Sequence, residues 1–256
     1  MILEMGRCYI ILNKVRIPFI SLEELNRSKG EPMDNKWEVA LPSLSQMTVS
    51  SNANNEPVTI HGGDKTLRCI GVGTDAAVFQ SIYAPDFAFK LYAEDKRSKI
   101  KNEEKVYQAI GDSPYFSTCY AAYDTLLVLS FEKGSTLFDC LLQGINIPEQ
   151  VVEDVENARQ YVRDQGMNPR DIHLKNILLQ NGRAKIIDVS EYIQPGNDFR
   201  WEHLKKAYDD HYHLIEGRAV PFWLLETIRK WYNSWNKHFS SYEEFMKRVS
   251  NFTSFK

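Results

Sequence analysis

Three polar residues between positions 170 and 190 have side chains suited to holding a metal ion and moving a proton. Asp171 and Asn176 lie in the irregular stretch PRDIHLKNILL, and Asp188 closes the apolar run AKIID. Carboxylates and amides converging from two loops supply the hard oxygen ligands that magnesium requires. A carboxylate left free of the metal can orient a hydroxyl or take its proton. Upstream, Lys90 stands inside FAFKLY, where apolar neighbours make an ammonium costly unless a carboxylate meets it. Glu103 falls on the apolar face of a predicted helix, and Glu104 lies close to the same face, so either is a possible partner. Gly71 and Gly73, in GVGTDAAV, sit between two predicted strands. Without a Cβ, glycine lets backbone N–H groups approach phosphate oxygens closely. Each feature alone has a plainer account: an Asx turn at Asp171, a helix cap at Asp188, an edge-strand lysine in water, a solvated glutamate, a glycine turn.

The surrounding pattern says which elements would position these residues. TLRCIGVG reads as a strand entering the glycine turn. AAVFQSIY and FAFKLY read as two more strands, separated by the turn signal Ala84-Pro85-Asp86. In KRSKIKNEEKVYQAIG, Ile100, Glu103, Val106, Tyr107 and Ile110 share one helical face, with Gly111 as the C-cap. LLVLSF (126–131) is a fully apolar strand, followed by the turn Lys133-Gly134-Ser135. A helix carrying Val151, Val152, Val155, Ala158, Tyr161 and Val162 starts near Pro148 and stops at Gly166. NILLQNGRAKIIDV reads as a hairpin about Asn181-Gly182. In PFWLLETIRKWYNSW, Pro221 suits a first turn, and Phe222, Leu225, Ile228, Tyr232 and Trp235 form a stripe. Residues 1–64 show only short apolar runs (9–12 and 17–20), and the Ser- and Asn-rich stretch 43–57 reads as a loop or linker. Strands, one helix, strands and then helices imply an α+β chain of two lobes sharing a cleft.

Composition bounds the rest. The 256 residues are 43% hydrophobic and 25% charged, enough for a buried core in one domain or two modest lobes. A net charge of −3 argues against a protein that holds nucleic acid by bulk charge. Cys8, Cys69, Cys119 and Cys140 are far apart with no Cys-x-x-Cys pair, so they read as ordinary thiols in a reducing compartment. The N-terminus lacks the apolar core of a signal peptide, and no stretch reaches transmembrane length. A soluble cytoplasmic protein with no nucleic-acid and no membrane partner is the expectation. His203, His211 and His213 match no recognised metal pattern. Trp223, Trp231, Tyr232, Trp235 and Phe239, with Arg229, Lys230 and Lys237, imitate an RNA-binding surface; core packing of an amphipathic helix is the expected account.

Taken in order, Gly71-x-Gly73-x-x-Ala76-x-Val78, Lys90, NEEKVYQAI, RDIHLKN and IIDV resemble the protein-kinase fold, across about 66–193 and more loosely the helical tail. The resemblance implies an N-lobe (about 65–132) of a small antiparallel sheet with one helix. It implies a mainly helical C-lobe (about 133–256), both preceded by an extension (1–64) of unknown role. It implies ATP as cofactor, with magnesium or, in its place, manganese. Gly71, Val72, Gly73 and Val78 would cover the nucleotide, Lys90 would hold the α- and β-phosphates, and Glu103 would position Lys90. Leu129, Ser130, Phe131 and Glu132 would form the hinge beside adenine. Asp171 would accept the hydroxyl proton, and Asn176 and Asp188 would hold the metal.

The departures from that pattern shape the rest of the reading. Ala76 stands for the third glycine, Pro169-Arg170-Asp171 for His-Arg-Asp, and Asp188-Val189-Ser190 for Asp-Phe-Gly. His173 occupies the place of a lysine in eukaryotic-type protein kinases, an Asp-x-His arrangement that resembles aminoglycoside and lipopolysaccharide kinases. Lys175 lies nearby as a candidate for the γ-phosphate, and no Ala-Pro-Glu is present. The set resembles small bacterial serine/threonine kinases, RIO-like in their reduced form, which implies a protein Ser/Thr acceptor. Autophosphorylation at Ser43, Ser45, Thr48, Ser50 or Ser51 is expected if their segment is a flexible tether. Two rival readings are a sugar- or aminoglycoside-type kinase and a pseudokinase binding module.

Overall fold

The computed structural model describes residues 9–12, 15–18, 35–234 and 241–254. Cys8, the rest of the N-terminal leader reading, part of the run 17–20, and Trp235, Lys237, His238 and Phe239 lie outside the described residues. The chain divides into two compact units, Met1–Asp112 with Ser117–Glu132, and Ser113–Phe116 with Lys133–Lys256.

The first unit begins with an antiparallel pair, β1 (Tyr9–Leu12) and β2 (Val15–Pro18). A 3₁₀ turn at Lys36–Ala40 leads into the short helix α1 (Leu41–Leu44), and β3 (Thr48–Ser50) pairs with β4 (Thr59–His61). The main sheet follows: β5 (Leu67–Val72), β6 (Ala76–Ser81) and β7 (Ala84–Tyr92), then the helix α2 (Arg97–Ile110), then β8 (Cys119–Ala122) and β9 (Leu126–Ser130). Its five strands are antiparallel, in the order β5-β6-β7-β9-β8. From Phe87 to Tyr92 every residue of β7 is buried, so the strand is covered on both faces. Phe87, Phe89 and Leu91 join a core with Trp37, Val49, Val58 and Phe79. Alternation sends Lys90 and Tyr92 to the other face, where Glu103 of α2 receives them.

Two expectations are corrected here. The stretch 43–57 is no linker. Leu44, Met47 and Val49 are buried in the same core as Phe79 and Phe89, and Val58 just beyond joins them. Its apolar residues come singly, and its polar ones are tied locally, as where the Asn52 amide donates to the Pro57 carbonyl at 2.6 Å. Segment 35–61, assigned from sequence to an extension, thus completes the core of the sheet. The tether argument for autophosphorylation goes with the linker. Ser43 shares a hydrogen bond with Thr66, Ser50 shares one with His61, and Ser51 donates to Asp95. The second correction is the β6–β7 turn, which falls at Ile82-Tyr83. Ser81 already pairs with Ala84, Pro85 and Asp86 continue the strand, and Pro85 lies beyond the Asp86 carbonyl that takes the Phe131 N–H, where a missing N–H costs nothing.

The second unit is mainly helical. A three-stranded antiparallel sheet joins β10 (Ser135–Thr136) to the hairpin described below. The helices α3 (Leu137–Gln143) and α4 (Glu149–Asp164) come next, then the hairpin strands β11 (Ile177–Gln180) and β12 (Arg183–Ile186). The tail holds α5 (Arg200–His211), α6 (Phe222–Asn233) and α7 (Tyr242–Ser254). Asn181 and Gly182 both have positive φ, 52° and 80°, the conformation a two-residue hairpin turn demands. α4 buries Val151, Val152, Val155, Ala158 and Val162, and with them the charged Asp154. That carboxylate accepts two hydrogen bonds of 2.7 Å from Arg183 and one of 3.0 Å from the Ala184 N–H, which fastens the hairpin to the helix.

The tail differs from the core-packed helix expected. α6 has no fully buried residue, and Phe222 and Trp223 are 60% and 45% exposed. Its indoles pack on α7 instead: Trp223 and Trp231 meet Phe252 edge-on, and Arg248 lies over Trp231. The α+β class with antiparallel sheets holds. A sheet-rich and a helix-rich unit are compatible with a two-lobed kinase-like fold. No helix among the described residues is long and apolar enough to cross a membrane.

Because Trp37 anchors segment 35–61 in the core, Trp37→Ala is expected to lower unfolding free energy by about 3–5 kcal/mol in urea titrations. A loss under about 1 kcal/mol would mean that the segment is dispensable to the core.

Candidate active site

The first unit holds the glycine hairpin, the lysine–glutamate pair and the proposed hinge. In the hairpin, the Gly73 N–H donates to the Ala76 carbonyl at 2.8 Å, leaving Thr74 and Asp75 as the turn. Neither Gly71 nor Gly73 has a positive φ, and a Cβ on either would meet nothing closer than 3.4 Å. The fold itself does not require glycine at these two places. What glycine adds is bare backbone, exposed at Gly73 and half-buried at Gly71. The tip is fastened at one side: the Asp75 carboxylate accepts from Lys99 at 2.6 Å and its carbonyl from the Ala93 N–H.

Cross-strand register lines up three of the residues singled out from sequence. Gly71 is opposite Val78, and Val78 is opposite Lys90, so Val78 and Lys90 share one face of the sheet. Lys90 Nζ lies 2.9 Å from both oxygens of Glu103, whose side chain is fully buried. The Tyr92 hydroxyl also donates to Glu103 Oε2, and the Lys90 ammonium sits 5.2 Å from the Tyr92 ring centre. Of the two candidate partners the structure selects Glu103. Glu104 instead accepts from Gln108 one turn along α2.

Leu129 is buried and pairs with Ala88. The Ser130 and Phe131 N–H groups donate to the Thr118 and Asp86 carbonyls, each at 2.8 Å. The Ser130 hydroxyl accepts from the Thr118 N–H and donates to Glu132. The N–H groups of residues 130 and 131 are therefore spent inside the unit and are not the donors an adenine edge would meet.

The second unit brings Asp171 and Asn176 into contact. Asp171 adopts a left-handed φ of 53°. The Asn176 side-chain amide donates to the Asp171 carbonyl at 3.1 Å, and the Asn176 carbonyl accepts the Ile187 N–H at 3.0 Å, one residue before Asp188. Asp188 Oδ1 accepts the Ser190 N–H at 3.0 Å, an Asx turn. With its NH₂ group donating to Asp171, the Asn176 side chain keeps Oδ1 as its acceptor atom. Burial pushes the Asp171 carboxyl up to about 6; Arg200 opposes the shift, and Asp188, Asp198 and Glu191 add to it. His173 is pushed down to about 4, first by burial and then by Arg200. Its Nδ1 accepts the Lys175 N–H, so the neutral ring carries its proton on Nε2, 3.9 Å from Asp171 Oδ1. Lys175 lies over the Phe138 ring and 3.7 Å from Glu226, so its charge is engaged there.

Sequence reasoning missed Tyr92, Asp198 and Arg200. Arg200 Nη1 donates to Asp171 Oδ1 at 2.7 Å, and the Asp171 N–H donates to Asp198 Oδ2 at 2.8 Å. Asp198 was readable as a residue opening a helix, but no local period ties it to a partner 27 positions earlier. His203 packs among Phe199, Tyr232 and Tyr242 and shares a hydrogen bond with the Tyr232 hydroxyl. Among the described residues no group of three or more His, Cys, Asp or Glu side chains is placed to hold a metal.

No protein-family model matches the chain. A curated protein of Bacillus subtilis (strain 168), named "Putative serine/threonine-protein kinase YrzF", is 29% identical over 198 residues, covering 75% of this chain and 92% of that protein. The likeness supports a kinase-like phosphotransferase.

The buried pair makes a contrast between neighbours. Glu103→Ala removes both carboxylate contacts of the buried Lys90 ammonium and is expected to cost about 3–5 kcal/mol. Glu104→Ala is expected to stay within about 0.5 kcal/mol. Chemical denaturation of the two variants side by side checks this; equal losses would remove Glu103 from its assigned place.

Proposed function

We propose that this protein is an ATP- and magnesium-dependent kinase that transfers the γ-phosphoryl group to a protein serine or threonine hydroxyl. The observation that carries the reading is the Asn176 side chain. Its nitrogen is bound to the backbone carbonyl of Asp171, so one contact holds the Asn176 amide, with an oxygen suited to a metal, beside the residue that carries the candidate base. The donor set suits magnesium: the Asn176 amide oxygen and the Asp188 carboxylate are hard oxygens, and phosphate and water would complete the shell. Bound there, magnesium would supply charge neutralisation on the phosphates. Lys90, held by Glu103, places a fixed cation for the phosphates, and the bare backbone of Gly71 and Gly73 lets them approach closely. Asp171 orients the acceptor hydroxyl and takes its proton as the new O–P bond forms.

The serine/threonine acceptor is supported by the name of the Bacillus subtilis relative. The free thiols Cys69, Cys119 and Cys140 support a reducing, cytoplasmic setting. A second reading, a kinase of a small hydroxylated metabolite, is favoured by His173 beside Asp171 and by the short stretch 189–199 ahead of α5, which leaves little chain for docking a peptide.

Incubation with γ-labelled ATP, magnesium and a generic basic protein separates the readings. Label on serine or threonine, reduced roughly 10²-fold in Asp171→Asn with nucleotide binding retained, is the expected result. Nucleotide binding without labelled protein would reject the protein acceptor and turn the search to metabolites. Turnover without change in Asp171→Asn would remove the base.

The pH profile follows from the raised Asp171 carboxyl. The base is ionised above about pH 6, so kcat should be level there and fall below it, approaching about tenfold per pH unit. A bound cation favours the ionised form and moves this limb to lower pH, never higher. An acid limb well above pH 6 would contradict the assignment.

A further inference from the structure

We propose that Arg200 is a positioning residue for phosphoryl transfer: it grips one oxygen of the Asp171 carboxylate so that the other faces the acceptor hydroxyl. The inference rests on the kinase reading above. Its basis is a closed set of contacts. Arg200 Nη1 meets Asp171 Oδ1 at 2.7 Å. Asp198 ties the two backbones together, accepting the Asp171 N–H on Oδ2 at 2.8 Å and the Arg200 N–H on Oδ1 at 3.2 Å. Arg200 Nε also lies 3.7 Å from Asp198 Oδ2.

Backbone strain marks the same place. Among the described residues, four that are not glycine have positive φ: Asn54, Asp171, Asn181 and Phe199. Asparagine and aspartate tolerate that conformation, so Phe199, at 55°, is the costly one of the four; it adjoins Asp198, whose carboxylate binds the N–H of Asp171, itself at 53°. The Phe199 turn is over-determined. Its N–H donates to Asn197 Oδ1, the Asn197 amide donates to Glu202, and Glu202 is paired with the buried Arg159. Strain persists where surrounding bonds enforce it, and such places are typically functional. Stability alone does not explain the arrangement. The Asp171 and Arg200 side chains are 33% and 37% exposed, and ion pairs so open to water contribute little to folding. They do fix direction.

A guanidinium is suited to the task because it stays charged and never competes for the proton. With Oδ1 engaged, Oδ2 is the atom that takes the hydroxyl proton. The acceptor oxygen then bonds to the γ-phosphorus, the bond from that phosphorus to the β,γ-bridging oxygen breaks, and ADP leaves with that electron pair.

The test uses steady-state kinetics on the full chain with Arg200→Ala, Arg200→Lys, Arg200→Gln, Asp171→Asn and the Arg200→Ala/Asp171→Asn double variant. Arg200→Ala is expected to lower kcat roughly 10- to 100-fold, the scale of a misplaced catalytic group, with KM for ATP and acceptor within about twofold. Arg200→Lys should recover part of the loss. Added guanidinium ion should raise the turnover of Arg200→Ala and leave the wild type unchanged. The double variant should be no slower than Asp171→Asn alone, because the two residues act as one unit. Arg200→Gln, which keeps the side-chain length, replaces Arg200→Ala should the latter not fold. An unchanged kcat, a loss confined to acceptor KM, or losses that multiply in the double variant would each overturn the role. An active wild type with an indifferent Arg200→Ala sinks this inference alone, whereas a wild type that transfers to no acceptor sinks the kinase reading and this inference with it.

Discussion

Taking an ammonium and a carboxylate out of water carries a penalty of several kcal/mol per ion, and only close, well-satisfied pairing recovers it. The first unit is organised around one such burial. Lys90 meets both oxygens of Glu103, and Tyr92 adds a hydroxyl donor to the same carboxylate. For Lys90 to be there at all, β7 must be an inner strand with both faces covered, one by the core around Phe79 and Phe89 and one by α2. For Glu103 to reach it, α2 must carry a charge on its apolar face among Ile100, Val106, Tyr107 and Ile110. An apolar pair of similar volume is often at least as stable in such a place. A charged pair at such a cost gives a lysine whose position is fixed, as the proposed phosphate contact would need.

The second unit handles charge differently. Asp154, also buried, is satisfied by Arg183, Gln150 and the Ala184 N–H, and its effect is to hold the hairpin on α4. Asp171 is left partly desolvated, near Asp188, Asp198 and Glu191, with Arg200 as counterweight. The difference separates a carboxylate that fastens the hairpin from the one proposed as the base. Hydrogen bonding lowers the carboxyl of Asp154 against the cost of its burial, whereas burial wins at Asp171 and keeps its proton affinity high.

Legibility followed locality. The buried face of α2 is the five-residue set predicted from helical period, Glu103 included, because one helix fixes that spacing by itself. The Asn181-Gly182 turn was readable for the same reason, since its chemistry is complete within two residues. Segment 43–57 was misread because its core contributions are single residues set among serines and asparagines, too sparse to make a period. Pro85 was read as turn although it lies on a strand, since its missing N–H falls where β7 has run past its partner. Asp198 and Arg200 were not found at all. Their meaning comes from a backbone clamp 27 residues away, and nothing in the composition of PGNDFRW encodes the partner.

Gly71 and Gly73 lead to the remaining step. In a sequence, glycine between strands is first a device for turning, and that account made the pair weak as a sign of ligand binding. In the structure the turn is made by Thr74 and Asp75, while neither glycine has a positive φ and both have room for a Cβ. Glycine at such a place costs conformational entropy on folding and adds no contact in return. Something other than the fold must account for it. The bare backbone they leave is a surface that an anionic group can approach closely, which accords with the phosphate contact proposed for Lys90. Two features that were separately ambiguous in the sequence therefore favour one ligand, and they do so through what the fold leaves unexplained.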